Sequence, residues 1–90
     1  MNKTFMVLSE DGIHARPATA IVNMASNFKA EIFAEADGRK VTLKSILGVL
    51  SLDLSTNDVV TFIAEGEDAA EALEAIEGIF QKEGLGILYD

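Results

Sequence analysis

The sequence predicts a two-layer α+β fold whose elements run in the order β-α-β-β-α-β-α. Three observations carry this expectation. Two stretches repeat apolar residues at three- and four-residue spacing, as amphipathic helices do. Short β-rich segments separate those stretches, and Asp37-Gly38 is a strong hairpin turn signal. Each amphipathic helix must bury its stripe, and one face of a four-stranded sheet is the surface available for that.

Residues 2–9 (NKTFMVLS) are short and rich in β-formers, and they read as the first strand. The stripe Ala18, Ile21, Val22, Ala25 and Phe28 predicts a helix over 16–27. Pro17 belongs in its first turn, where a missing N–H costs nothing and the fixed φ is already helical. EIFAEADGRKVTL then predicts strands near 31–36 and 40–43 around the Asp37-Gly38 turn. Ser45 is a good N-cap and favours a short helix through ILGVLSL, an apolar run that is also compatible with a strand. STND at 55–58 is turn-like, and VVTFIA at 59–64 reads as a strand. Asp68 and Glu71 have the spacing of an N-terminal capping pair. From there the stripe Ala69, Leu73, Ile76 and Phe80 carries the last helix to about Glu83, with Gly84 as its stop.

Ninety residues suit a single domain over 1–90, long enough for one core and too short for two. Hydrophobic residues at 49% against 24% charged point to a globular chain rather than a disordered one. Without cysteine, disulfides and thiolate metal sites are excluded, and one histidine without clustered partners predicts no metal and no cofactor. No stretch approaches the roughly 18 apolar residues of a membrane span. MNKTFMVLSE also lacks the unbroken apolar run of a signal peptide, so a soluble, cytoplasmic protein is expected.

The net charge of −8 is uneven. Residues 1–45 hold six Lys/Arg against five Asp/Glu, whereas residues 46–90 hold one Lys against ten acids. So acidic a domain binds nucleic acid poorly, because phosphate contacts need cations to displace counterions. The acids Glu67, Asp68, Glu71, Glu74 and Glu77 read as a solvated helix face. An anionic ligand therefore belongs to the first half of the chain.

That half contains DGIHARPATA, with His14, the one histidine, just before the first helical turn. Helix N-termini attract anions through their free N–H groups and the macrodipole. A neutral imidazole there keeps a nitrogen lone pair and can act as a nucleophile. A phosphoryl group taken up on that nitrogen would have Arg16 and the first-turn amides to hold its oxygens. Gly12 permits a tight turn on the approach side. A lone histidine before a helix is also a common surface or capping residue, so chemistry alone reaches only an anion or phosphoryl site.

GIHARPAT resembles the active-centre motif of the HPr family, the histidine-containing phosphocarriers of the bacterial phosphoenolpyruvate-dependent sugar phosphotransferase system. LKSILGVLSL is similar to that family's second motif around a regulatory serine, and ALEAIEGIFQKEGLG to its last helix. The resemblance implies an open-faced sandwich with antiparallel strand order 1-4-2-3 and three helices on one face; a monomer is the simplest expectation for the oligomeric state, which the sequence does not itself fix. It implies that His14 accepts phosphate on Nδ1 from phosphorylated enzyme I and passes it to the IIA domains of sugar permeases. Arg16 would contact the phosphoryl group, and Pro17 would set the helix start. Ser45 would match the serine modified by the HPr kinase/phosphorylase, and Ile46, Leu47 and Leu50 the apolar patch on which partners dock, a catabolite-control transcription factor among them. The carrier would be a covalent intermediate and not an enzyme with turnover of its own.

The chain departs from that pattern at Asp11, where relatives often have a small neutral residue, and at Asp53, a place often held by glycine. Leu47 and Leu50 stand where many relatives carry methionine. A regulatory paralogue keeps the serine motif but lacks the histidine, and His14 separates this chain from it. Two other classes stay open on the residues alone. One is a regulatory binding module acting through Ser45 and 46–52; the other is a small-ligand domain of ferredoxin-like type.

Overall fold

Alternation along each strand decides which face of the sheet is covered. A computed structural model of the chain describes residues 1–89. Its elements are β1 (Asn2–Val7), α1 (Ala15–Ala25), β2 (Glu31–Ala36), β3 (Arg39–Thr42), α2 (Ile46–Ser51), β4 (Val59–Glu65), α3 (Ala69–Lys82) and β5 (Gly86–Leu88). β1 buries Phe5 and Val7, β2 buries Ile32, Ala34 and Ala36, and β4 buries Val60, Phe62 and Ala64. The residues between them are half-buried or exposed. One face of the sheet thus takes the stripes of α1 (Pro17, Ala18, Ile21, Val22, Ala25) and α3 (Ala69, Ala72, Leu73, Ile76, Phe80). At the centre Phe80 stacks on Phe5 at 4.4 Å between ring centroids, and Phe62 meets both edge-on at 5.7 Å. Such pairs add about 0.5–1.5 kcal/mol each beyond the area they bury.

The sheet is antiparallel in the order β3-β2-β4-β1-β5. The implied order 1-4-2-3 is present within it, and the expectation of four strands is one short. Gly86–Leu88 pairs with β1 as a fifth, edge strand. Three residues directly after a helix carry no periodic signal, so this strand exists only because β1 offers its free edge. The ambiguous run after Ser45 is helical: the Ser45 hydroxyl accepts from Gly48 N at 3.1 Å and Val49 fills the core. Asp37 and Gly38 both have positive φ, 55° and 79°, as a type I′ hairpin turn requires.

Asp68 behaves differently from the expected capping pair. It stands at the start of α3, but its side chain makes no capping bond. Its two carboxylate oxygens instead accept from Lys29 N at 2.9 Å and Ala30 N at 2.8 Å, tying α3 to the loop after α1. Those loop amides outcompete the local ones for the carboxylate. The hydrogen bond from Lys29 N–H, against an opposing effect of burial and with help from Ala30 N–H, holds the Asp68 carboxyl below its ordinary value of 3.8. A carboxylate with a depressed folded-state pKa stabilises the fold above the unfolded-state pKa, and that stability is lost as the pH falls through the folded value. Asp68→Asn is therefore expected to be less stable than the parent at pH 6, with the difference shrinking below about pH 4. Urea unfolding at pH 6 and pH 3 reads this directly.

Candidate phosphoryl-acceptor site at the start of the first helix

The site is built by the loop that joins β1 to α1. Gly12 and Ile13 are buried there, while His14, Ala15 and Arg16 are exposed. His14 is the N-cap of α1 with extended backbone (φ −88°, ψ −167°), and its carbonyl accepts the first intrahelical bond, from Ala18 N at 3.0 Å. Its side chain makes no capping bond. The ring is therefore not engaged as a cap, and it stands free at the helix mouth. The N–H groups of Ala15 and Arg16 have no acceptor among the described residues, and Pro17, third in the helix, has no N–H. Two backbone donors, the Arg16 guanidinium and the His14 ring thus sit in three consecutive residues. Among the described residues the one ion pair is Lys3–Glu77, so Arg16 is not held by a carboxylate.

α2 lies beside α1 and runs the other way. At its start, Lys44 Nζ donates to Phe28 O at 2.7 Å, beyond the C-terminal end of α1. After its end, Leu54 O accepts from Ile13 N at 3.0 Å, beside His14. Ser45 is consequently separated from His14 by about the length of α1, some 16 Å for 11 residues at about 1.5 Å each. Leu47 is 79% exposed and Ile46 36%, whereas Leu50 packs partly on the core. His14, Arg16 and Pro17 are brought together, Ile46 and Leu47 present an apolar surface on the neighbouring helix, and Ser45 stands at the far end.

The turn at 55–58, read from sequence only as a connection, braces the His14 loop. The Thr56 hydroxyl donates to Ser9 O at 2.6 Å and lies 3.3 Å from Glu10 O. Asn57 N donates to Val7 O at 2.7 Å. No local signal could reveal these bonds, because the partners lie 46 and more residues apart. A groove of about 440 Å³, lined by Asp37, Arg39, Ser51, Asp53 and Asp58 among others, does not include His14. His14, Ala15 and Arg16 form an open display on the surface.

Fold and site together define a class: a small open-faced α+β sandwich that presents an unencumbered imidazole at the positive end of a helix. Comparison with known proteins sharpens this. The family described as PTS HPr component phosphorylation site matches residues 1–82. The histidine-containing phosphocarrier protein of Mycoplasma superimposes with a TM-score of 0.93 at 30% identity, over 96% of this chain and 98% of that one. The phosphocarrier protein HPr from Bacillus anthracis is 43% identical over 88% of this chain and 94% of its own, with a TM-score of 0.82. Crh, the Bacillus subtilis catabolite repression protein, described as a swapped, intertwined dimer, is 47% identical over 83% of this chain and 86% of its own, with a TM-score of 0.72. The chain belongs to the HPr family of phosphocarrier proteins.

Proposed function

We propose that the protein relays a phosphoryl group in the cytoplasm from phosphorylated enzyme I, through His14, to the IIA domains of sugar permeases. The observation that carries this is the exposed, uncapped His14 ring beside two free amides and Arg16. The lone pair of the ring Nδ1 attacks phosphorus, the bond from phosphorus to the donor breaks, and the electron pair returns to the donor. In the second transfer the same events run outward to the acceptor domain. Ala15 N–H, Arg16 N–H and the Arg16 guanidinium hold the phosphoryl oxygens, and bonds of this charged kind contribute about 1.5–3 kcal/mol each. The chain is thus a covalent carrier without turnover of its own, and the relay requires only a single copy. Incubation with phosphoenolpyruvate and enzyme I tests the reading: acid-labile phosphate should appear on the protein, and its absence refutes the relay.

A second role rests on Ser45. Its hydroxyl caps α2 two residues before the exposed Leu47, on the surface a partner would cover. A phosphate there, added by HPr kinase/phosphorylase, would stand about 16 Å from His14, beyond the roughly 8 Å screening length at physiological salt. It therefore acts on docking and not on the reacting nitrogen: it repels an acidic docking surface and attracts a basic one, and so shifts the choice among partners such as enzyme I and a catabolite-control transcription factor. Ser45→Asp should raise the KM for loading by enzyme I about two- to fivefold and leave kcat unchanged, a magnitude expected for one exposed charge. Steady-state loading kinetics measure both.

A further inference from the structure

The His14 side chain makes no hydrogen bond to any described residue, so the place of its ring is inherited from the backbone on either side. On the C-terminal side, α1 anchors it through buried Pro17 and Ala18 and through Ala18 N–H to His14 O. On the N-terminal side, the anchors of the loop come largely from residues distant in sequence. Leu8 N and Ser9 N donate to Leu85 O, Ile13 N donates to Leu54 O, and the Thr56 hydroxyl donates to Ser9 O at 2.6 Å. Thr56 is the one side chain among the described residues that hydrogen-bonds this loop from outside it. The loop also has no slack against the 54–58 segment. Gly12 has φ +64°, and a Cβ built on it would fall on the Leu54 carbonyl oxygen.

We infer that Thr56 is a positioning residue for phosphoryl transfer, its hydroxyl holding the turn at Ser9 and Glu10 so that Ile13 and His14 meet an incoming phosphoryl group in reacting geometry. The inference rests on the carrier reading of His14 and goes beyond it. Thr56 is exposed, and it has no role in the core. Loss of the hydroxyl leaves the hydrogen bonds of Ile13, Leu8 and Ser9 in place but frees the tip of the turn to move. Displacement of a reacting group by about an ångström can slow chemistry up to a hundredfold, so a partial loosening should be worth about tenfold.

The test compares Thr56→Val, which keeps the shape and removes the hydroxyl, with Thr56→Ser, which keeps the hydroxyl. Loading of His14 by phosphorylated enzyme I is measured as kcat and KM, alongside thermal unfolding and the His14 ring resonances by NMR. Support requires that Thr56→Val lowers kcat about tenfold at unchanged KM, shifts the ring resonances, and is restored to within about twofold by Thr56→Ser. A Thr56→Val protein that loads at the parental rate overturns the inference while leaving the carrier reading intact, and so does a Thr56→Ser protein as slow as Thr56→Val. A parent protein that takes no phosphate overturns the carrier reading, and the inference falls with it.

Discussion

His14→Ala is expected to fold like the parent and to accept no phosphoryl group at all. The two halves of this result have separate causes. The ring is exposed and leaves the amides of α1 unbonded, so removing it takes away no packing and no cap bond. The change in stability should stay within about 1 kcal/mol, the range of a position where even a working cap costs little more. Transfer, by contrast, needs a lone pair on a positioned nitrogen, and alanine supplies none. With phosphoenolpyruvate and enzyme I present, the parent should carry acid-labile phosphate and His14→Ala none. Equal labelling of the two proteins would place the chemistry elsewhere in the chain and remove the basis for the relay.

Gly12→Ala should unfold the protein more readily than Gly38→Ala, which adds the same methyl to another turn glycine. Positive φ alone costs an L-residue about 1–2 kcal/mol, and Gly12 stands at +64°. The added Cβ would also press on the Leu54 carbonyl, which already accepts from Ile13 N at 3.0 Å. Moving that carbonyl forfeits a hydrogen bond of about 1 kcal/mol. Together these predict a loss of about 2–3 kcal/mol and a fall in Tm of about 8–24 °C for a domain of this size. Gly38 is the control. Its φ is +79°, yet a Cβ there meets nothing within 4 Å, so Gly38→Ala should cost only the conformational part. If calorimetry finds the two substitutions equally mild, β1–α1 and the segment after α2 are not pressed together as described.

Much of this architecture is written in local pattern. The stripes at 18–28 and 69–80 specify α1 and α3, because a 3.6-residue period leaves a helix no other face to bury. Asp37-Gly38 specifies its hairpin through two positive φ values that few other pairs adopt. HARP was legible for a similar reason: a histidine, a cation and a proline at a helix start carry their geometry within four residues. What escaped sequence reading has the opposite character. β5 is too short for a period, and Asp68 turns from its own helix to Lys29 N and Ala30 N, nearly 40 residues away. Thr56 reaches Ser9 across 47 positions.

By itself, then, the order of residues determined the helices α1 and α3, the strands β1 to β4 and the place of a histidine at the start of α1. Tertiary structure alone decided that α2 runs back along α1, that Ser45 and His14 stand at its opposite ends, and that the loop carrying His14 is clamped by residues 54–58. The reason is physical. Periodicity and turn chemistry act between neighbours in the chain, whereas a hydroxyl or a backbone amide takes whichever partner the packed core brings within reach.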